Sequence, residues 1–229
     1  MRLGKFFAFE GIDGAGLTTQ SSLLKDWFEN QGFATFLTKE PTDGPIGSQI
    51  RLVLSKRLRM GSTALALAFA ADRMDHLDTD IVSKINNGVI VISDRYYLSS
   101  YAYQSLDLEL GWLANVNSKC LKPHLTILLD VPALICKKRM ERMRWHVELY
   151  EQTEKLERVR ENFLSIAEQM RKNGENIEVV DGNRPLSEIH KDIRIAVMKS
   201  LKKTPKEQFL VPSEEKTKRL ADFLGGHPP

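Results

Sequence analysis

Apolar residues along the chain fall into two patterns. Short continuous runs occur at 5 to 9, 33 to 38, 89 to 92, 125 to 131 and 176 to 180, as in "VIVI" and "LTILLDV". Between them lie longer stretches with apolar residues at helical spacing, such as Leu23, Leu24, Trp27 and Phe28 within Thr18 to Glu29. The first pattern predicts strands and the second predicts amphipathic helices. Continuous rather than alternating apolar strands are expected in a parallel sheet covered on both faces. Helices are further predicted over 62 to 86, with Ser62 as cap, from Leu149 to a stop at Gly174, and over Leu186 to Leu201. Strands alternating with helices give an α/β class, a doubly wound parallel sheet of five strands flanked by helices, with ligands beyond the carboxyl ends of the strands.

Length and composition narrow this picture without changing it. A chain of 229 residues can bury one sizeable core, and 42% hydrophobic with 28% charged residues is not the balance of a disordered chain. No apolar run reaches the roughly 18 residues needed to span a bilayer, so no membrane association is expected. The opening "MRLGKFFAFEG" reads as a first strand rather than a targeting segment, because its apolar run meets Glu10 at once. Two cysteines, Cys120 and Cys136, are too few for a disulfide framework, and the five histidines form no metal-ligand spacing, which favours the cytoplasm. A net charge of +3 does not point to nucleic acid, and it suits small acidic substrates equally well. The stretch from Thr204 is richer in proline and charge and is expected to be a partly helical extension of a domain that occupies 1–203.

"FEGIDGAGLTTQ", Phe9 to Gln20, carries the first candidate chemistry. It fits the phosphate-binding pattern G-x-x-x-x-G-K-[ST] except at the lysine, where Leu17 stands. Gly11, Gly14 and Gly16 permit successive N–H groups to turn inward around an anion while the helix start adds its positive end. The expected ATP-binding set is Gly11, Ile12, Asp13, Gly14, Ala15, Gly16, Leu17, Thr18 and Thr19. Thr18, with Asp94 at the end of the third strand, is expected to hold magnesium on the donor phosphates. Cations to replace the missing lysine are available in Lys39, in Arg95, and in Arg139, Arg142 and Arg144 after the fourth strand; spacing alone does not choose among them. On the acceptor side, Phe69 and Arg73 stand four apart on one helix face, an aromatic plane beside a planar donor, which suits a nucleobase. "SDRYYLSSYAYQ" then adds Ser99, Ser100, Tyr103 and Gln104 close behind a buried strand.

Together these segments resemble the thymidylate kinase family, through "FEGIDGAG.TTQ", "TKEP", "AFAADR", "VISDRYYLSSYAYQ", "LDVP" and "ERVRENF", over about residues 5 to 200. The resemblance implies a P-loop nucleoside monophosphate kinase fold with a short lid at about 139–151. It further implies magnesium-dependent transfer of the ATP γ-phosphate to dTMP, by a homodimer in the cytoplasm. It makes Asp13 the loop acid near the acceptor, Phe69 the stacking ring, Arg73 the donor to the base edge and Arg95 the clamp on the acceptor phosphate. By the same resemblance Tyr103 lies under the sugar and Gln104 beside the base. Two departures stand out. The arginine expected in "TREP" is Lys39, and the lid reads "RMERMRWHVELYE", retaining Arg139, Arg142 and Arg144 as candidates to cover for Leu17. Three readings stay open from the sequence: an active dTMP kinase, a silent nucleotide binder, and a kinase of altered acceptor range.

Overall fold

The computed structural model describes residues 4–143 and 151–203. The C-terminal extension from 204 and the central part of the expected lid, including Arg144, lie outside the described residues. Five parallel strands, β1 (Lys5–Glu10), β2 (Thr35–Lys39), β3 (Ile90–Asp94), β4 (Leu125–Asp130) and β5 (Ile177–Asp181), form one sheet in the order β2-β3-β1-β4-β5. β1 and β3 are central because nearly every side chain in them is buried, from Phe6 to Glu10 and from Ile90 to Ser93. A strand wrapped by helices on both faces needs apolar groups on both sides, which is why these segments are continuous rather than alternating.

α1 (Leu17–Asn30) joins β1 to β2, and α2 (Pro45–Leu54) and α3 (Ser62–His76) follow β2. The predicted helix over 62 to 86 is one continuous path in three pieces: α3, a π turn at Leu77–Ile81, and α4 (Val82–Asn86). Its N-cap is Gly61 in extended conformation rather than Ser62, which begins the helix with no side-chain cap bond. α5 (Tyr97–Gln104) and α6 (Leu110–Val116) precede β4; α7 (Ala133–Met143) and α8 (Glu151–Lys172) lie between β4 and β5; and α9 (Leu186–Lys203) follows β5. α8 ends at Gly174, whose φ of 88° places it in the left-handed region that glycine tolerates. Pairing of Phe9 with Asp94 and of Lys39 with Asp94 aligns the carboxyl ends of β1, β2 and β3, so the functional segments emerge side by side.

His124, just before β4, ties that strand to β1: the Phe6 amide donates to its Nδ1 at 3.0 Å. Burial, reinforced by the charge of Lys5, pulls the imidazole pKa down to about 4. The native state therefore binds fewer protons than the unfolded chain between the ordinary histidine value near 6.5 and about 4, and stability falls as pH drops through that window. His124→Gln is expected to flatten this acid limb, which can remove up to about 3 kcal/mol in the parent. Urea unfolding between pH 4 and 7 measures it, and an unchanged slope in the variant would contradict the assignment.

Candidate active site

The loop after β1 is built by backbone geometry. Gly11 and Gly14 have φ values of 152° and 84°, and a Cβ at Gly14 would lie 2.6 Å from the Cys136 carbonyl oxygen of α7. Any side chain at Gly14 would push α7 off the loop. Gly16 caps α1 without a side-chain bond, which leaves the first amides of the helix directed at an incoming anion. Leu17 does not point to that anion. It is 5% exposed, joins Ile12 and Ala15 in the core, and its Cδ2 would stand 3.3 Å from a Cβ on Gly11. The leucine folds back over the start of the loop as packing.

Thr18 donates its hydroxyl to Asp94 Oδ2 at 2.6 Å, which joins the first turn of α1 to the end of β3. A hydroxyl and a carboxylate beside a phosphate cradle form an all-oxygen donor set, and this fits magnesium, which takes few protein ligands and several from phosphate and water. Among the described residues there is no cluster of three or more His, Cys, Asp or Glu side chains of the kind that would hold a metal by itself.

Arg95 is the centre of the next set. One Nη1 donates to the Gly11 carbonyl at 2.9 Å and to Ser99 Oγ at 3.1 Å, while Nη2 donates to Asp13 Oδ1 at 2.6 Å. The Asp13 amide donates to Tyr103 Oη at 3.1 Å, and the Arg95 guanidinium lies 5.5 Å from the Tyr103 ring centroid. Asp13, Arg95, Ser99 and Tyr103 thus form one knot beside the loop. Arg95 itself has φ 75°, a left-handed backbone that costs a non-glycine residue about 1–2 kcal/mol. Three bonds hold it there: the Arg95 amide donates to the Phe9 carbonyl at 2.9 Å, Ser93 Oγ donates to the Arg95 carbonyl at 2.7 Å, and the Tyr96 amide donates to Glu10 Oε1 at 3.0 Å.

Arg73 is placed deeper than helix spacing alone indicates. Its side chain is 1% exposed; Nε donates to Glu40 Oε2 at 2.8 Å, Nη1 to Asn117 Oδ1 at 2.5 Å and Nη2 to Ser100 Oγ at 2.9 Å. These three oxygens and the nearby Cys120 thiol surround the buried guanidinium. Neighbouring Asp72 accepts from the Thr42 amide and hydroxyl at 2.8 and 2.6 Å, pinning the loop after β2. Phe69 is half-buried on the same helix. Gln104 Oε1 is buried with no hydrogen-bond partner among the described residues, as an acceptor waiting for a ligand donor would be. Lys39 is exposed and pairs with Asp43 at 3.3 Å, so it neither enters the Arg95 knot nor reaches Arg73.

From α7, Arg139 reaches back to the loop. Its Nη1 donates to the Ala15 carbonyl at 3.3 Å and its Nη2 to the Gly182 carbonyl at 3.0 Å. Arg142 lies on the same helix, in its last turn. The two helices that bracket the lid are fastened by residues the sequence reading left out: Arg160 of α8 holds Asp130 at 2.6 and 3.0 Å and Glu157 at 2.5 Å, while the Ala133 amide donates to Glu157 Oε2 at 3.0 Å. A cleft of about 550 Å³ runs beside the edge strand β2 and meets the expected site at Thr18, Lys39 and Asp94; Phe69, Arg73 and Tyr103 do not line it. Glu10, Glu40, His76 and Asn117 were also missed. The available signal was a carboxylate closing a strand that is otherwise apolar, which must find partners once buried.

A glycine cradle at the end of the central strand, a hydroxyl and carboxylate beside its helix, and a guanidinium knot across from them define a P-loop phosphotransferase fold of the α/β class. The thymidylate kinase family model matches residues 9–193, and the chain belongs to that family of enzymes. A probable thymidylate kinase of Thermococcus gammatolerans is 40% identical over 200 residues, covering 83% of this chain and 94% of the relative. One of Pyrococcus horikoshii is 40% identical over 202 residues, covering 86% and 96%. A third, of Thermococcus onnurineus, is 41% identical over 197 residues, covering 82% and 94%.

Proposed function

We propose that the protein transfers the γ-phosphoryl group of ATP to dTMP, giving dTDP and ADP. The observation that carries this reading is the Arg95, Asp13 and Tyr103 knot set against the loop, with Arg95 directly after Asp94 of the Thr18 and Asp94 pair at the end of β3. In the transfer, an acceptor phosphate oxygen forms a bond to the γ-phosphorus as the bond from that phosphorus to the β,γ-bridging oxygen breaks. With a second phosphate pKa near 6, the acceptor is already largely ionised at neutral pH and needs no general base. Asp13 therefore acts by orienting Arg95, and Arg95 neutralises the approaching phosphate. Magnesium held by Thr18 and Asp94 would supply charge neutralisation on the donor phosphate oxygens.

Phe69 is assigned to the face of thymine, Arg73 and the unpartnered oxygen of Gln104 to its edge, and Ser100 to holding Arg73. Lys39 retains charge near the acceptor without the bidentate fork of an arginine. Arg139, with Arg142 and Arg144, is assigned the charge that Leu17 does not supply, since Arg139 already touches the loop. The kinase domain extends to residue 203, with a lid around 139–151. A homodimer is supported by exposed Leu67 on α3 and exposed Leu52 and Leu54 on α2. Two free cysteines, and no helix among the described residues long and apolar enough to cross a membrane, fit a cytoplasmic enzyme.

A second reading, a nucleotide binder without turnover, is favoured by one observation, the burial of Leu17. Coupled release of ADP across dTMP, dUMP and purine deoxynucleotides separates the readings. Turnover is expected with dTMP at a kcat/KM at least about 10-fold above the others, since dUMP lacks the thymine methyl group and a purine leaves groups built to bond a pyrimidine edge unpaired. Calorimetric binding of dTMP without ADP release would establish the binder instead.

A further inference from the structure

Glu10 closes β1 with no exposed surface and is not called on by the phosphoryl transfer itself. It nevertheless reaches Arg95 by two routes, each through one neighbouring group. Its Oε1 accepts from the amide of Tyr96, the peptide immediately after Arg95, at 3.0 Å. Its Oε2 lies 2.5 Å from Ser99 Oγ, and Ser99 Oγ accepts from Arg95 Nη1 at 3.1 Å. One carboxyl thus holds both the left-handed backbone of Arg95 and, through a single hydroxyl, its guanidinium. A buried carboxyl placed only for packing has no need of this double grip, and an apolar side chain would fill β1 without the desolvation that Glu10 bears.

We propose that Glu10 is a positioning residue for Arg95: it holds the clamp in its acceptor-facing geometry before dTMP arrives, acting through Ser99 and the Tyr96 amide. The inference rests on the reading that Arg95 faces the acceptor phosphate. The charge state suits the task. Burial pushes the Glu10 carboxyl up to about 8, with the Ser99 hydrogen bond and the charges of Arg95 and Arg73 limiting the rise. At neutral pH the group is protonated, so it steers Arg95 without subtracting from the positive field that meets the phosphate. The charged groups acting on it are Arg95 at the end of β3 and Arg73 on α3. Above pH 8 the carboxylate offsets part of that field.

The test uses the full chain, with KM for dTMP and for ATP measured separately from pH 6 to 9.5 and folding checked by thermal melting. Glu10→Ala is expected to raise KM for dTMP about 10- to 100-fold, the range for losing support of a hydrogen-bonded charge, with KM for ATP within about twofold. In the structure the Ser99 hydroxyl donates to Oε2, and a protonated carboxyl reverses that bond; Glu10→Gln copies the protonated form, with an acceptor for the Tyr96 amide and a donor for Ser99 Oγ, so it restores KM for dTMP at pH 7. It should also abolish the rise in that KM expected of the parent above pH 8. A folded Glu10→Ala with unchanged KM for dTMP, an equal rise in KM for ATP, or no rescue by Glu10→Gln overturns the inference. Should Glu10→Ala fail to fold, Ser99→Ala cuts the same link with Glu10 in place, and an unchanged KM for dTMP there overturns it equally. Arg95→Ala separates the two levels. If it leaves KM for dTMP unchanged, the clamp reading fails and the inference with it; if it raises KM while Glu10 and Ser99 variants do not, only the inference fails.

Discussion

Glu40→Ala is expected to destabilise the protein by about 3–5 kcal/mol, the cost of breaking a buried ion pair from one side. The Arg73 and Glu40 side chains are 1% and 3% exposed, and the carboxylate grips α3 at two points: Oε2 accepts from Arg73, and Oε1 lies 3.2 Å from Nδ1 of His76, one turn further on. His76 continues the chain through its Nε2, 2.8 Å from Thr38 Oγ1 on β2. Alanine at 40 removes the anion of this network while the guanidinium stays buried beside the Tyr96 ring, 5.4 Å from its centroid, with Asn117 and Ser100 as neutral acceptors. Glu40→Ala combined with Arg73→Met should therefore cost less than Glu40→Ala alone, because the stranded charge is gone. Urea unfolding of the two single variants and the double variant measures this. Additive losses would show that the pair is not coupled, contrary to the geometry. The same variants bear on function, because Glu40 fixes the plane of Arg73, the group assigned to the edge of the base.

The sheet was legible because continuous apolar runs have one good home, between two helical layers, and all five appear as strands in the structure. The glycine loop after β1 was legible because its glycines are demanded by backbone geometry, as at Gly14, where α7 leaves no space for a Cβ. Four helices, α2, α5, α6 and α7, were not predicted. α5 is buried at six of its eight positions, from Tyr97 to Ala102, so it has no polar face and no helical period to read. Side-chain destinations were less legible still. Helix spacing put Phe69 and Arg73 on one face, yet what fixes Arg73 is Glu40, 33 residues away, and Asn117, 44 away. Glu10 and Arg160 were overlooked for the same reason: partners distant in sequence leave no local pattern. What the sequence could have said, and physics supports, is that a carboxylate closing a buried strand or a "KEP" turn must be satisfied somewhere.

Arg139→Ala is expected to lower kcat for dTMP about 10²–10³-fold, the loss associated with one preorganised donor to a reacting centre. The expectation begins with Leu17. Its side chain is buried in the core cluster that also holds Ile12 and Ala15, so the loop cannot supply the cation that its pattern ordinarily carries at that position. α7 lies directly on the loop, with the Cys136 carbonyl against Gly14, and from this close approach Arg139 spans the Ala15 and Gly182 carbonyls. Those two bonds leave N–H groups of the guanidinium free to turn toward donor phosphate, and a guanidinium keeps its charge at any working pH. Leu17→Lys tests the substitution from the other direction. In the parent it should change kcat by no more than about threefold, because the position is already covered, whereas in the Arg139→Ala background it should recover about 10-fold or more. Single-turnover measurement at saturating dTMP isolates the chemical step. A rise of about 10²-fold from Leu17→Lys alone would mean that the loop works without a replacement cation and that Arg139 serves only to dock α7.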